Sequence, residues 1–148
     1  MCNVTLHTLP PPPPGKTGWP WTVGTPPLPA TRADGRPWPR VSVVTPSFNQ
    51  SRYVEETIRS VLLQGYPNVE YIVMDGGSRD ESVEVIRRYA PFLSYWTSGR
   101  DAGQSDAINR GFGRATGEWV GWQNSDDFYQ PGAIGRTVET ALPTREPR

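Results

Sequence analysis

The chain has one cysteine, Cys2, and one histidine, His7. A single cysteine excludes an internal disulfide framework and a cysteine-rich zinc site, and predicts a reducing, cytoplasmic setting. With the only histidine near the start, a histidine-dependent serine or cysteine hydrolase has no candidate base, and no Gly-x-Ser-x-Gly elbow is present. No Gly-x-Gly-x-x-Gly follows the first predicted strand and no Walker-type loop occurs, which disfavours dinucleotide dehydrogenases and P-loop NTPases. No apolar run is long enough to span a bilayer, and the first residues lack the basic start and apolar core of a signal peptide. An excess of charge is missing too: 15 basic and 15 acidic residues give a net charge of zero, so there is no electrostatic footprint for nucleic acid.

Proline is abundant, at 17 residues, but eleven of these fall in the first 40. That stretch, with Pro10 to Pro14, Trp19-Pro20-Trp21 and Trp38-Pro39, has no apolar periodicity. On composition it is predicted to be a disordered, polyproline-like tail over residues 1–40, because it offers too little periodic apolar surface to offset its ordering entropy. Residues 41–148 form a single predicted domain.

Beyond Arg40 the pattern becomes regular. Val41-Ser42-Val43-Val44-Thr45 is a β-branched run stopped by Pro46, and predicts a buried strand. Val54, Ile58, Val61 and Leu62 share one face of a helix that Gly65 and Pro67 end. Val69 to Met74 predicts a second strand, and Asp80 is placed to cap a helix running through Ala90. Leu93 to Thr97 predicts a third strand, Gln104 to Ala115 a helix, Trp119 to Trp122 a fourth strand, and Ala133 to Leu142 a last helix. Strands and helices alternating in this way, with strands apolar throughout, predict an α/β fold with a mostly parallel sheet covered by helices on both faces.

Ligands of such sheets bind outside the carboxyl ends of the strands. Four polar clusters fall there: Pro46-Ser47-Phe48-Asn49, Asp75-Gly76-Gly77-Ser78, Asp101-Ala102-Gly103-Gln104, and Asn124-Ser125-Asp126-Asp127. Together they predict one composite site. Adjacent carboxylates at a strand end raise each other's pKa unless a cation meets them. Asp126 and Asp127 therefore suit a hard divalent cation, Mg²⁺ or Mn²⁺, that also bridges a substrate phosphate. The other reading is a solvated turn whose aspartates cap the next element, and the motif alone favours neither. The remaining polar set, including Asn49, Asp101, Asp106, Asn109 and Asn124, suits hydrogen-bonded recognition of a nucleoside with its diphosphate held through a metal.

Thr45-Pro46-Ser47-Phe48-Asn49-Gln50, Glu55 to Gln64, Tyr66-Pro67-Asn68 with Val69 to Ser78, Gly103-Gln104-Ser105-Asp106-Ala107-Ile108-Asn109-Arg110-Gly111, Ala115-Thr116-Gly117-Glu118 and Asn124-Ser125-Asp126-Asp127 together resemble glycosyltransferase family 2. The likeness runs from about Val41 to Leu142, with several motifs in order. It implies a GT-A fold, whose Rossmann-like nucleotide-binding half precedes an acceptor-binding half. It also implies an inverting, metal-dependent transfer of a sugar from a nucleoside diphosphate donor, a UDP-sugar by default, to a glycan or lipid-linked acceptor in polysaccharide or glycan synthesis.

Carried over by motif, Thr45, Pro46, Phe48 and Asn49 would line the nucleoside pocket, and Asp75 would hydrogen-bond the base. Asp106 would lie near the nucleotide or sugar, with Gly76, Gly103, Gln104 and Asn109 completing the donor site. Asp127 would ligate the metal, with Asp126 on the metal, ribose or donor sugar. Two departures stand out. Arg79 and Glu81 replace smaller residues of the common pattern; Arg79 reads either as a phosphate contact or as a solvated loop charge, with the second favoured. The family's catalytic carboxylate and its later Gln-x-x-Arg-Trp have no counterpart before Arg148, since Glu139 and Glu146 lie too close to the metal motif. The expectation is thus a C-terminally truncated donor half. Its base would lie beyond Arg148, any peripheral membrane contact would come through the absent part, and the isolated piece would expose apolar surface. The alternative is a catalytically incompetent nucleotide-binding remnant. A sugar nucleotidyltransferase ranks lower, since the loop after the first strand has neither glycine nor lysine.

Overall fold

The computed structural model describes residues 4–142; Cys2 and Glu146 lie outside them. The elements follow in the order β1 (Val41–Ser47), α1 (Val54–Leu62), β2 (Val69–Asp75), α2 (Ser82–Tyr89) with a 3-10 turn at Ala90–Phe92, β3 (Tyr95–Ser98), α3 (Gln104–Arg114), β4 (Trp119–Trp122) and α4 (Ala133–Ala141). The strands form one sheet in the order β3-β2-β1-β4. Every pairing is parallel, with Val43 opposite Tyr71 on one side and Gly121 on the other. The α/β reading with a parallel sheet holds.

Pro46 does not stop β1; the strand runs on to Ser47. The reason lies in the alternation of backbone groups. The Val44 carbonyl accepts from Gln123 on the β4 side, and the Ser47 carbonyl accepts from Gly76 on the β2 side. Even-numbered residues of β1 therefore point their backbone groups toward β4. The N–H that Pro46 lacks would face β4 just past its end, so no ladder bond to β2 is lost.

The sheet is covered on both faces. Val43, Tyr71 and Val73 pack with Val54, Ile58 and Val61 of α1, Val85, Ile86 and Tyr89 of α2, and Ile134 and Val138 of α4. On the opposite face Val44, Ile72 and Met74 pack with Ala107 of α3. Gly111 lets α3 lie directly on β1, since a Cβ there would run into the Val44 side chain. At the base of the sheet the buried Glu70 carboxylate accepts from Ser42 Oγ at 2.7 Å, Thr116 N at 2.8 Å, Thr116 Oγ1 at 2.9 Å and Arg40 Nη2 at 3.0 Å, tying the α3–β4 turn to β1 and β2. Burial would raise its pKa, but these donors outweigh that and hold it below the ordinary glutamate value.

The proline-rich segment departs from the expectation of a disordered tail. Residues 4–40 contain no helix or strand beyond an isolated bridge between Thr31 and Pro37, yet Leu9, Trp21 and Trp38 are buried in the protein. Arg59 of α1, fully buried, holds the segment: its guanidinium donates to the carbonyls of Pro10 at 2.7 Å, Pro20 at 2.9 Å and Trp21 at 2.9 Å. Composition misled for a physical reason. Prolines surrender little backbone freedom on ordering, three large or aromatic side chains bury much area without periodicity, and a stretch poor in N–H groups but rich in carbonyls complements the five-donor, acceptor-free guanidinium.

Candidate functional site

The four predicted loops meet at the carboxyl edge of the sheet around a cavity of about 850 Å³, whose lining comes from all of them. It opens beside the β1–β4 boundary, where the strand order reverses and where such sheets form their ligand crevice.

Asn49 joins the first two loops. Its φ of 51° lies in the left-handed region, which asparagine tolerates better than most residues. Its N–H donates to Ser78 Oγ at 2.8 Å and its Oδ1 accepts from Arg79 N at 2.9 Å. Gln50 N to Ser82 Oγ at 2.9 Å and Ser51 N to Asp80 Oδ2 at 3.0 Å continue the seam. Asp80 also accepts from Ser82 N at 2.9 Å, although the N-cap position of α2 falls on Glu81. Partial burial would raise the Asp80 pKa; the bonds from Ser82 and Ser51 outweigh it and bring the group down to about 2.

Asp75 sits behind the cavity wall, 2 % exposed. Its carboxylate accepts from Gly77 N at 3.1 Å, Ser78 N at 2.8 Å, Ser78 Oγ at 2.5 Å and Ser98 Oγ at 2.7 Å. In this arrangement it shapes the second loop: Oδ2 takes three of the bonds and Oδ1 one. Gly76 lies close to the third loop: a Cβ there would lie 2.9 Å from Asp101 Oδ2, and that carboxylate would have to shift. Gly103, at the start of α3, has φ 110° and ψ −176°, a conformation essentially reserved for glycine.

Gln104 Nε2 donates to Asn124 Oδ1 at 2.6 Å and links the third loop to the fourth. Asp106 is engaged at the start of α3, accepting from Ala102 N of the preceding loop at 3.0 Å and pairing with Arg110 at 3.0 Å. The Ala102 N–H, and then Arg110, hold its pKa below the usual aspartate value. Thr45 is fully buried with its hydroxyl 2.8 Å from Tyr71 Oη.

Of the expected donor-site residues, Pro46, Phe48, Asn49, Gly76, Gly103, Gln104 and Asp126 line the cavity, whereas Thr45, Asp75, Asp106, Asn109 and Asp127 do not. Asp126 and Asp127 are both exposed, and neither pairs with a basic side chain among the described residues. Asn124 Nδ2 lies 3.4 Å from Asp127 Oδ2. Among the described residues no three His, Cys, Asp or Glu side chains cluster as a metal cage. The all-oxygen pair does fit a cation that takes one or two carboxylates and completes its shell with substrate phosphate and water.

Arg79, Arg100 and Ser47 line the cavity although they were not among the expected donor-site residues. Arg79, read as a solvated loop charge, and Arg100 are exposed yet both line the cavity, and neither pairs with a carboxylate among the described residues. Ser47, 4 % exposed, lines it with an Oγ that has no hydrogen-bond partner among the described residues. A buried orphan hydroxyl costs free energy until something bonds it. Its place in the Pro46-Ser47-Phe48-Asn49 cluster was the signal available in the sequence.

Comparison with known proteins agrees with this architecture. The family described as glycosyl transferase family 2 matches residues 42–145. An uncharacterized glycosyltransferase of Mycobacterium tuberculosis is 39% identical over 103 residues, covering 68% of this chain and 39% of that protein. One from Rickettsia typhi is 34% identical over 100 residues, covering 68% and 31%. The chain thus spans well under half the length of these relatives. Among solved structures, the mannosyltransferase PcManGT from Pyrobaculum calidifontis, in complex with GDP-Man and Mn²⁺, superposes with a TM-score of 0.63 at 29% identity, covering 72% of this chain and 33% of that one. Staphylococcus aureus TarS superposes with a TM-score of 0.62 at 25% identity, covering 68% and 19%. The fold is GT-A, and with a match that takes in the whole sheet and all four site loops, the chain belongs to glycosyltransferase family 2.

Proposed function

We propose that the chain forms the donor site of an inverting glycosyltransferase that takes a sugar from a nucleoside diphosphate-sugar, by default a UDP-sugar, in the presence of Mg²⁺ or Mn²⁺. The observation that carries this is the convergence of four loops from one sheet edge on a single cavity. That wall combines an exposed aromatic ring, Phe48, an orphan hydroxyl on Ser47, amides on Asn49 and Gln104, two arginines and the Asp126 carboxylate. Phe48, 58 % exposed, offers a face on which a base can stack. Arg79 and Arg100 supply positive charge for a diphosphate. Asp126 and Asp127 would hold the divalent cation, which when bound offsets the charge on the departing diphosphate. That PcManGT was solved with GDP-Man and Mn²⁺ supports the same chemistry here.

The acceptor is a glycan or a lipid-linked carrier. The carboxylate base that activates its hydroxyl is assigned to none of the described residues. No helix among them is long and apolar enough to cross a membrane. We place the reaction in the cytoplasm, in keeping with the cysteine usage, at the inner membrane face when the acceptor is lipid-linked.

The test is the melting temperature of the whole chain with UDP, GDP or dTDP and Mn²⁺, against EDTA and Asp127→Ala. A ligand at a hundredfold excess over its Kd stabilises by about 2.7 kcal/mol, a rise of several degrees for a domain of this size. The expected result is a metal-dependent rise with one nucleotide, lost in Asp127→Ala. No rise from a cooperatively melting sample overturns the proposal and leaves the incompetent remnant.

A further inference from the structure

Helix α1 carries polar side chains where a helix packed on a sheet ordinarily buries apolar ones. Thr57 is 1 % exposed, Ser60 0 % and Gln64, just past the helix end, 1 %. Their partners lie in the loop that follows β4. Thr57 Oγ1 donates to the backbone carbonyl of Asp127 at 2.5 Å. Ser60 Oγ accepts from Tyr129 N at 3.1 Å while donating to Thr57 O at 2.7 Å. Gln64 Nε2 donates to Gln130 O at 2.9 Å and to Ser60 O at 2.9 Å, and its Oε1 accepts from Ile134 N at 2.9 Å. Trp19 Nε1 adds a bond to Tyr129 O at 2.8 Å from the proline-rich segment.

Backbone groups from Asp127 to Ile134 are thus held by side chains whose own helix is fixed in the core. The loop contributes little regular structure of its own: α4 begins only at Ala133, and Asp126, Asp127 and Phe128 are all exposed. A carboxylate on such a loop reaches one place only if its peptide is held.

We propose that Thr57, Ser60 and Gln64 are positioning residues for the metal site: by gripping the Asp127 peptide and the backbone after it, they set where the Asp126 and Asp127 carboxylates meet a cation. This rests on the donor-site function proposed above. None of the three touches the cation or the sugar donor. Thr57 acts one peptide away from the expected ligand, and Ser60 and Gln64 hold the same loop further on.

Partners that orient metal ligands typically contribute 10–100-fold to metal affinity. The test measures Mn²⁺ binding by the whole chain with UDP or GDP, through the electron paramagnetic resonance signal of free Mn²⁺. Nucleotide affinity in EDTA and the melting temperature are measured alongside. Thr57→Val, close in shape but without the hydroxyl donor, is expected to weaken Mn²⁺ about tenfold or more while metal-free nucleotide affinity stays unchanged, and Thr57→Ser is expected to restore it. Gln64→Met is expected to act in the same direction, and serves if Thr57→Val does not fold. Wild-type Mn²⁺ affinity in both Thr57→Val and Gln64→Met, with Asp127→Ala deficient, overturns the proposal. A parallel loss of metal-free nucleotide affinity also overturns it, since a merely structural role predicts that. If wild type binds no Mn²⁺, or Asp127→Ala binds as wild type does, the donor-site reading fails, and the Asp127 arm identifies that failure separately.

Discussion

At the scale of single residues, the first two site loops are joined by Asn49, which lines the cavity, and by Ser78, Asp80 and Ser82, which do not. Asp80 is the clearest case, with Ser51 N on one side and Ser82 N on the other. Its folded pKa, about 2, lies below the ordinary aspartate value. A group with a depressed folded pKa stabilises the fold above its unfolded value and loses that contribution as pH falls through the folded one. Asp80→Asn is therefore expected to melt below wild type at neutral pH. The gap should close between about pH 4 and pH 2, which a series of thermal melts across that range would show. A constant gap would mean that the charge contributes nothing. The loop seam was only half legible in the sequence: Asp80 beside a helix start suggested a cap, whereas its reach to Ser51 depends on two loops folding side by side, which local chemistry does not encode.

At the scale of elements, alternating apolar runs revealed the sheet and its helices, because a strand buried on both faces must be apolar throughout. Their boundaries slipped by a residue or two where register decided. β1 runs through Pro46 because its missing N–H would face the β4 side and costs no bond to β2, and β3 begins at Tyr95. The buried polar stripe on α1 was not legible, since threonine, serine and glutamine in a helix look like ordinary solvated positions until their partners are known. The α3–β1 contact supplies a prediction at this scale. Gly111→Ala gains about 1 kcal/mol of helix propensity but drives a methyl into Val44, which is fully buried and stiff. Overpacking of this kind costs about 1–3 kcal/mol, and it wins, because both neighbours are fixed elements. A melting temperature a few degrees lower is expected; an unchanged or higher one would mean that α3 can lift from the sheet.

At the scale of the whole molecule, the proline-rich segment belongs to the fold. Leu9, Trp21 and Trp38 each contribute about 1.5–3 kcal/mol on burial, set against the ordering entropy of a chain already stiffened by proline. Given stability margins of about 5–15 kcal/mol, removal of residues 1–40 is expected to lower the melting temperature by more than 10 °C or to abolish a cooperative transition. A deletion that melts like the full chain would return the segment to the status of a tail. The segment also donates Trp19 Nε1 to the loop bearing Asp126 and Asp127, so its loss would reach the site as well.

Pro46 has a consequence for the cavity. Val44 still accepts a bond from Gln123, but the next rung between β1 and the chain leaving β4 would need an N–H at position 46. Pro46 offers that side a carbonyl but no N–H, so one rung is missing at the point where the sheet order reverses. The ladder is thus one bond poorer beside the crevice, on whose walls Ser47 and Asp126 both stand.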